Sequence, residues 1–359
     1  MSSENANTNT SLLKKSRKST NNKPKKLIIT SLICLSLTTF IILYIFLSKY
    51  LKKTILIDEP KFQWSHCGQT HYKPNVDLSK FDTSIRHKRI IGGEDSVKNS
   101  WPFLVSIRLV NNQSYHVCGG NLISDSHVLT AAHCLWLFFR PLDFNLTRVL
   151  ETIEVYVGIH ELNTDPQLLG DEYKYKIEIF NWHPDFDSDN LSLFNDIAII
   201  KLKRKVNLNR PEANLVCLPF GKNYELKVDD WVVAIGWGTY SEDFDHSEHH
   251  KNYPQQAFFK IQDQHNSYCN SGLIGENWDK SRTVCAYDET QTPKSTCFGD
   301  SGGPVVAYRD HKWFLFGVIS FGNDESNSTM RRCNGSQPFY FMNVTAYSDW
   351  ILETIEKLK

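Results

Sequence analysis

"GDSGGP", residues 299–304, sets one serine between an aspartate and two glycines and closes on a proline. A serine hydroxyl is a weak nucleophile at neutral pH unless a base stands beside it. Alone, the hexapeptide could be a glycine-rich turn, so its meaning depends on what the rest of the chain supplies. Two other stretches answer. "LTAAHC" (129–134) offers His133, and "NDIAIIKL" (195–202) offers Asp196. A lone histidine is usually a core or surface residue, and a lone aspartate before an apolar run is often a turn or cap. A histidine, an aspartate and a serine in this order form the group that nucleophilic catalysis needs. His133 would be the general base that takes the Ser301 proton and returns it to a leaving amine. Asp196 would hold the imidazole tautomer and stabilise the imidazolium. Gly299 would let the amides of Gly299 and Ser301 converge on a developing oxyanion, where one donor is worth about 3–4 kcal/mol.

Around these stretches the chain is rich in short β-like runs. "VYVGI" (155–159), "YKIEIF" (175–180), "DIAIIKL" (196–202) and "WVVAIGWG" (231–238) are β-branched or aromatic and bounded by turn residues. "GPVVAY", "RDHK" and "WFLFGVISFG" (303–322) read in succession as a hairpin. "VTAYSDWILETIEKLK" (344–359) places Tyr347, Trp350, Ile351, Ile355 and Leu358 on one helical stripe. Many short strands closed by a helix predict an all-β domain of sandwich or barrel type.

The amino-terminal region reads differently. Residues 1–26 carry seven Lys or Arg against one acid, Glu4, and form a basic tail. Residues 27–47 then run without a charge, and 21 residues at about 1.5 Å rise span roughly a bilayer's hydrocarbon core. A cleaved signal peptide is the competing reading, but its apolar stretch is normally shorter, about 7–15 residues. We expect an uncleaved anchor in the lipid bilayer, the basic side cytoplasmic and the bulk of the chain extracellular or lumenal. Cysteines agree: of nine, Cys34 lies in the apolar segment and eight lie beyond it, an even set suited to an oxidising compartment. The same side holds sequons at Asn112, Asn145, Asn190, Asn327, Asn334 and Asn343. Residues 48–89 are polar and read as a stem. With 40 basic and 40 acidic residues, nothing in the charge points to nucleic acid. The histidines of "DFDHSEHHK" (243–251) lack an ordered ligand spacing, so a solvated loop is preferred to a metal site.

"IIGG" (90–93), "WPFLVSI" (101–107), "CGGNLIS" (118–124), "LTAAHC", "DIAIIKL", "CLP" (217–219), "GWG" (236–238) and "GDSGGP" succeed one another across residues 90–359. In these stretches the chain resembles the chymotrypsin/trypsin family of serine endopeptidases. The resemblance implies two six-stranded antiparallel β-barrels with the active site in the cleft between them, and a C-terminal helix. It implies protein or peptide substrates, protein protease inhibitors as further partners, and no cofactor. The usual acidic start of the family's calcium loop is replaced by Ile159-His160.

The resemblance also gives "RHKRIIGG" (86–93) a meaning. In this family a zymogen is cut before such an Ile, and the freed ammonium turns inward to an Asp beside the serine. Here the cut would follow Arg89, and Ile90 would pair with Asp300. A buried charge must be paired, so the pair acts as a latch on the oxyanion hole. "RHKR" fits the pattern read by furin-like convertases, with a trypsin-like protease as the other candidate activator. Disulfides implied by the family are Cys118–Cys134, Cys269–Cys285, Cys297–Cys333 and Cys67–Cys217, the last tying the stem to the peptidase domain. A further bridge of many relatives falls at Val232 and Ala307, where both partners are absent together.

Specificity follows from the position six residues before the nucleophile. Trypsin-like relatives hold an Asp there; this chain has Ser295, which leaves a substrate guanidinium unpaired, so Arg and Lys are disfavoured. Gly322 and Phe339 form the pocket wall. A Phe where relatives commonly carry Gly would fill part of the pocket and favour small or medium apolar side chains; a ring turned aside would leave a chymotrypsin-like pocket. Ser320 should support Asp196, while Ser320, Phe321 and Gly322 should pair with substrate backbone as an added strand. The rival reading is a protease-fold binding protein whose obstructed pocket allows little turnover.

Overall fold

A computed structural model of the chain describes residues 66–81 and 94–359, apart from 111–112, 143–144, 166–167, 187–193, 222–223, 240–251, 267–268, 270–278, 288–293 and 323–336, together with Ile41 and Leu43. The chain divides into two compact units, Met1–Phe62 and Gln63–Lys359. Of the first unit only Ile41 and Leu43 are described; both are helical and exposed. Among the described residues no helix is long and apolar enough to cross a membrane. The basic tail, the rest of the expected anchor, the cut site at Arg89 and Ile90, and residues 243–251 lie outside the described residues.

The second unit opens with β1 (Glu94–Asp95) and continues into β2 (Leu104–Val110), β3 (Ser114–Leu122), β4 (His127–Thr130), β5 (Ile153–Val157), β6 (Lys174–Trp182) and β7 (Ala198–Leu202). Strands β2 to β7 close into an antiparallel barrel in the order β2-β3-β4-β7-β6-β5. Its interior is aliphatic. Ile107, Val128, Leu129, Val155, Val157, Ile177, Ile199 and Ile200 are wholly buried, as residues that pack well on a pleated surface should be. Two helices, α1 (Ala132–Phe139) and α2 (Leu146–Thr152), separate β4 from β5. Neither α1, an apolar run, nor the mixed "LTRVLET" of α2 was foreseen.

The remaining strands are β8 (Trp231–Gly236), β9 (Gln255–Ile261), β10 (Thr283–Tyr287), β11 (Pro304–Arg309), β12 (Lys312–Gly322) and β13 (Phe339–Asn343). They run in the order β9-β10-β13-β12-β11-β8, and a β8–β9 pairing closes this second barrel, with β1 added at β9. The expected hairpin is β11–β12. Its turn is shorter than "RDHK": Arg309 and Lys312 pair, and Asp310 and His311 both take positive φ, 47° and 62°. Two positive φ values at the centre match the primed turn that suits strand twist. The closing helix, α3 (Ser348–Lys357), buries Ile351 and Ile355 after a 3-10 turn at Val344–Tyr347.

Residues 66–81, expected to belong to a stem, pack on the second barrel. Cys67 is bonded to Cys217, the Gly68 N–H donates to the Leu215 carbonyl, and the Trp313 N–H donates to the Gly68 carbonyl. Lys80 is buried with its ammonium 4.5 Å from the Trp231 ring and 4.2 Å from that of Phe258, a favourable cation–π arrangement. Phe81 meets Trp313 edge-on.

Candidate active site

The two strands that matter most are neighbours. β4 pairs with β7, Thr130 facing Ala198. Three residues past Thr130 comes His133; two before Ala198 comes Asp196. Strand pairing alone therefore brings imidazole and carboxylate together. His133 Nδ1 lies 2.6 Å from Asp196 Oδ2, and the His133 backbone N–H donates to Asp196 Oδ1 at 2.7 Å. Asp196 is wholly buried, while the imidazole keeps 14% of its exposure. A second-barrel hydroxyl completes the carboxylate's partners: Ser320 Oγ donates to Asp196 Oδ2. Ser320 sits where the β12–β13 register shifts between Ile319 and Phe321, and such a bulge re-aims a side chain out of the regular alternation.

Asn195, just before the aspartate, adopts φ 54°, a left-handed conformation that asparagine tolerates. Its side-chain amide oxygen, Oδ1, accepts from the Arg282 guanidinium and from the Tyr347 hydroxyl. Burial pushes the Tyr347 hydroxyl's pKa upward.

Ser301 stands in the turn before β11. Its carbonyl accepts from the Gly119 N–H at 2.8 Å, next to Cys118, which is bonded to Cys134, the residue after His133. A Cβ on Gly302 would overlap Thr130 and the Gly119 carbonyl, so the serine turn rests on the backbone of the histidine segment. Gly299 has φ 97°, which glycine adopts without steric cost. In this turn the N–H groups of Asp300 and Gly302 donate to the carbonyls of Cys297 and Ile319. Among the described residues, those of Gly299 and Ser301 make no such bond.

The Asp300 carboxylate accepts from the Gly238 N–H at 2.7 Å and the Cys297 N–H at 2.9 Å. A Cβ on Gly236 or Gly238 would overlap it, which accounts for both glycines of "GWG". Although Asp300 keeps some solvent contact as a residue, burial of its carboxylate pushes the pKa up to about 6 against the pull of those two amides. Its expected partner, Ile90, lies outside the described residues.

Sequence reading missed the groups behind this turn. His116 is buried, its Nε2 3.0 Å from the Gly299 carbonyl and its Nδ1 2.8 Å from Ser106 Oγ, with Trp237 edge-on to the ring. The nearest signal was the histidine two residues before "CGG".

The pocket residues converge only in part. A Cβ on Gly322 would lie 3.6 Å from the Thr296 carbonyl oxygen and 3.8 Å from Ser295 Oγ, so the two walls stand close. Phe339 is wholly buried and packs on Phe259 and Phe341 inside the second barrel. Phe321 stacks on Tyr340 at 4.9 Å. Cys269 bonds to Cys285; Cys297 is disulfide-bonded, and its expected partner Cys333 lies outside the described residues. Of the sequons, Asn145 is exposed and uses its oxygen to cap α2 through the Arg148 N–H, whereas the Asn343 amide donates to the Ser281 carbonyl. Asn112, Asn190, Asn327 and Asn334 are outside the described residues. Among the described residues, the group compact enough to suggest a metal is Cys118, His133 and Cys134. Its two sulfurs are already joined to each other, which removes the thiolates that a metal would need.

Two closed antiparallel barrels, a C-terminal helix, a histidine–aspartate pair and a serine turn resting on the backbone of the histidine segment fit one class, the chymotrypsin-like serine endopeptidases. The trypsin family model matches residues 90–351, and the chain belongs to that family. It is 32% identical to chymotrypsin-C of Mus musculus over 81% of this chain and 94% of that protein. It is 31% identical to chymotrypsin-like elastase family member 1 of Homo sapiens over 76% of this chain and 95% of that protein.

Proposed function

We propose that the chain is a membrane-anchored endopeptidase that cleaves proteins or peptides through a Ser301 acyl-enzyme, with His133 as general base and Asp196 as its orienting carboxylate. The observation that carries the reading is the 2.6 Å His133–Asp196 contact, shared with Ser320, beside a serine turn docked on the histidine segment. The amides of Gly299 and Ser301 serve as oxyanion donors. The enzyme is made as a zymogen, cut after Arg89, and the new Ile90 ammonium neutralises Asp300. Residues 27–47 anchor it with the peptidase domain extracellular or lumenal, and Cys67–Cys217 keeps the cut enzyme attached to its stem. Asn145 is the described sequon best presented for a glycan.

Cleavage follows small or medium apolar residues. Ser295 in place of an acid and the close approach of Gly322 to residues 295–296 support an uncharged pocket; the Phe339 ring, turned into the second barrel against Phe259 and Phe341, does not narrow it. The names of the matched relatives, chymotrypsin-C and chymotrypsin-like elastase, point away from a basic preference as well. An enzyme that refuses Arg does not activate itself at Arg89, so a convertase or trypsin-like protease supplies that cut. Profiling the cut full-length chain on a diverse peptide library tests this. Cleavage after Ala, Val or Leu is expected; a strong preference for Arg or Lys would contradict it, and no cleavage of any peptide would favour the binding-protein reading.

A further inference from the structure

We infer that Arg282 and Tyr347 are positioning residues for the acid–base pair, acting on Asp196 through Asn195; the inference rests on the protease reading above. Arg282 stands just before β10, and Tyr347 ends the 3-10 turn that precedes α3. Both reach across to the first barrel. Arg282 Nη1 lies 2.6 Å from Asn195 Oδ1, and the Tyr347 hydroxyl donates to the same oxygen at 3.2 Å. The Asn195 amide nitrogen donates in turn to the Asp185 carbonyl at 3.0 Å. One side chain is thus held by three segments, the farthest of them 152 residues away in sequence.

Asn195 needs holding. Its φ of 54° is left-handed, a conformation that asparagine visits but that persists only where the surroundings over-determine it. Of its three bonds, the one from the guanidinium is charge-assisted and the strongest. The effect passes to the next residue. The Ile197 N–H donates to the Asn195 carbonyl at 2.8 Å, so a three-residue turn closes around Asp196 and carries the orientation of Asn195 into the carboxylate. That carboxylate is wholly buried and bonded to His133 through both oxygens.

The two residues also belong to the side of the molecule that carries the nucleophile. Ser301 lies in the turn before β11, and the Arg282 carbonyl accepts from the Asn343 N–H of β13 at 2.7 Å. Tyr347 is buried, its ring edge-on to His183, whose N–H donates to the Ile197 carbonyl at 2.9 Å. The grip on Asn195 therefore sets the histidine–aspartate pair in register with the serine turn. Errors of register are costly, since a misplacement of about 1 Å can lower a rate roughly 10²-fold. A staple that merely joined the barrels would act on stability alone.

The test uses full-length chain cut after Arg89, as wild type, Arg282→Met, Arg282→Lys and Tyr347→Phe, each also made in an Asp196→Asn background. Tyr347→Phe keeps the buried ring and removes only the hydroxyl, so it folds even if Arg282→Met does not. Arg282→Met should lower kcat by about tenfold and Tyr347→Phe by about threefold, with KM unchanged. Arg282→Lys, which keeps the cation, should lose less than Arg282→Met. With Asp196 already replaced, each change should cost under about twofold, because its route runs through that carboxylate. Wild-type kcat in the folded variants, or losses as large in the Asp196→Asn background as outside it, would overturn the inference while leaving the protease reading standing. A wild type that cleaves nothing and does not react with an active-site phosphonate would overturn both.

Discussion

The first barrel brings its histidine and aspartate together by strand pairing: β4 beside β7 sets His133 at 2.6 Å from Asp196, and Ser320 of the second barrel adds a donor to the carboxylate. The second barrel holds the serine turn over a carboxylate, Asp300, that has two backbone amides as its described partners and a pKa raised to about 6. The first-barrel pair is brought together by neighbouring strands, whereas the Asp300 carboxylate has no cationic partner among the described residues. In our proposal this difference lets the fold be stable before the cut and gain activity from it. Ionising Asp300 without a cation is unfavourable, and in our proposal the Ile90 ammonium removes that penalty.

The largest expected effects come from removing the pair itself. Asp196→Asn should keep the barrel yet leave the imidazole in the wrong tautomer, lowering kcat by about 10⁴-fold. Steady-state kinetics on the cut chain would show it. Next comes the latch. Arg89→Gln, which blocks the cut, should leave activity lower by about 10²–10³-fold, the value of one oxyanion donor. Asp300→Asn in the cut chain should fall in the same range, since an amide cannot pair with an ammonium as a carboxylate does.

Smaller effects are read in stability against pH. The Asp300 carboxyl has a raised pKa in the uncut native state, so that state binds more protons than the unfolded chain between about pH 4 and 6. Its contribution is present at low pH and is lost as pH rises through about 6. Uncut wild type should therefore lose about 1–2 kcal/mol relative to uncut Asp300→Asn between pH 4 and 7, a discounted share of a two-unit shift. His127, in the first barrel, has the opposite sense. Burial, helped by nearby Lys201, lowers its pKa to about 4, so stability present above about pH 6.5 is lost as pH falls towards 4. Denaturant melts of His127→Gln should show a flatter acid limb than wild type, by about 1 kcal/mol or less.

Much of this was legible in sequence, because short motifs and period-2 runs are local signals. The strands around 155, 175, 198 and 231, the β11–β12 hairpin and the closing helix all lie where the patterns put them. So do three of the four implied disulfides. The rest depended on contacts distant in sequence. Nothing near Lys80 announces that Trp231 and Phe258 will sandwich it, and nothing near His116 announces Gly299. The run "LWLFF" after His133 hid α1, because an apolar stretch without polar interruption has no period to read. The role of position 339 stayed open for a related reason: the ring's direction is set by Phe259 and Phe341, not by its own neighbours in "QPFY".

The central claim is that His133 activates Ser301 and that the oxyanion site is completed by cutting after Arg89. Reacting full-length chain with an active-site phosphonate before and after that cut, then locating the adduct by mass spectrometry, addresses it most directly. The account predicts fast labelling of Ser301 only in the cut chain, abolished by His133→Ala. Equal labelling before and after the cut, or a cut chain that never reacts at Ser301, would contradict it.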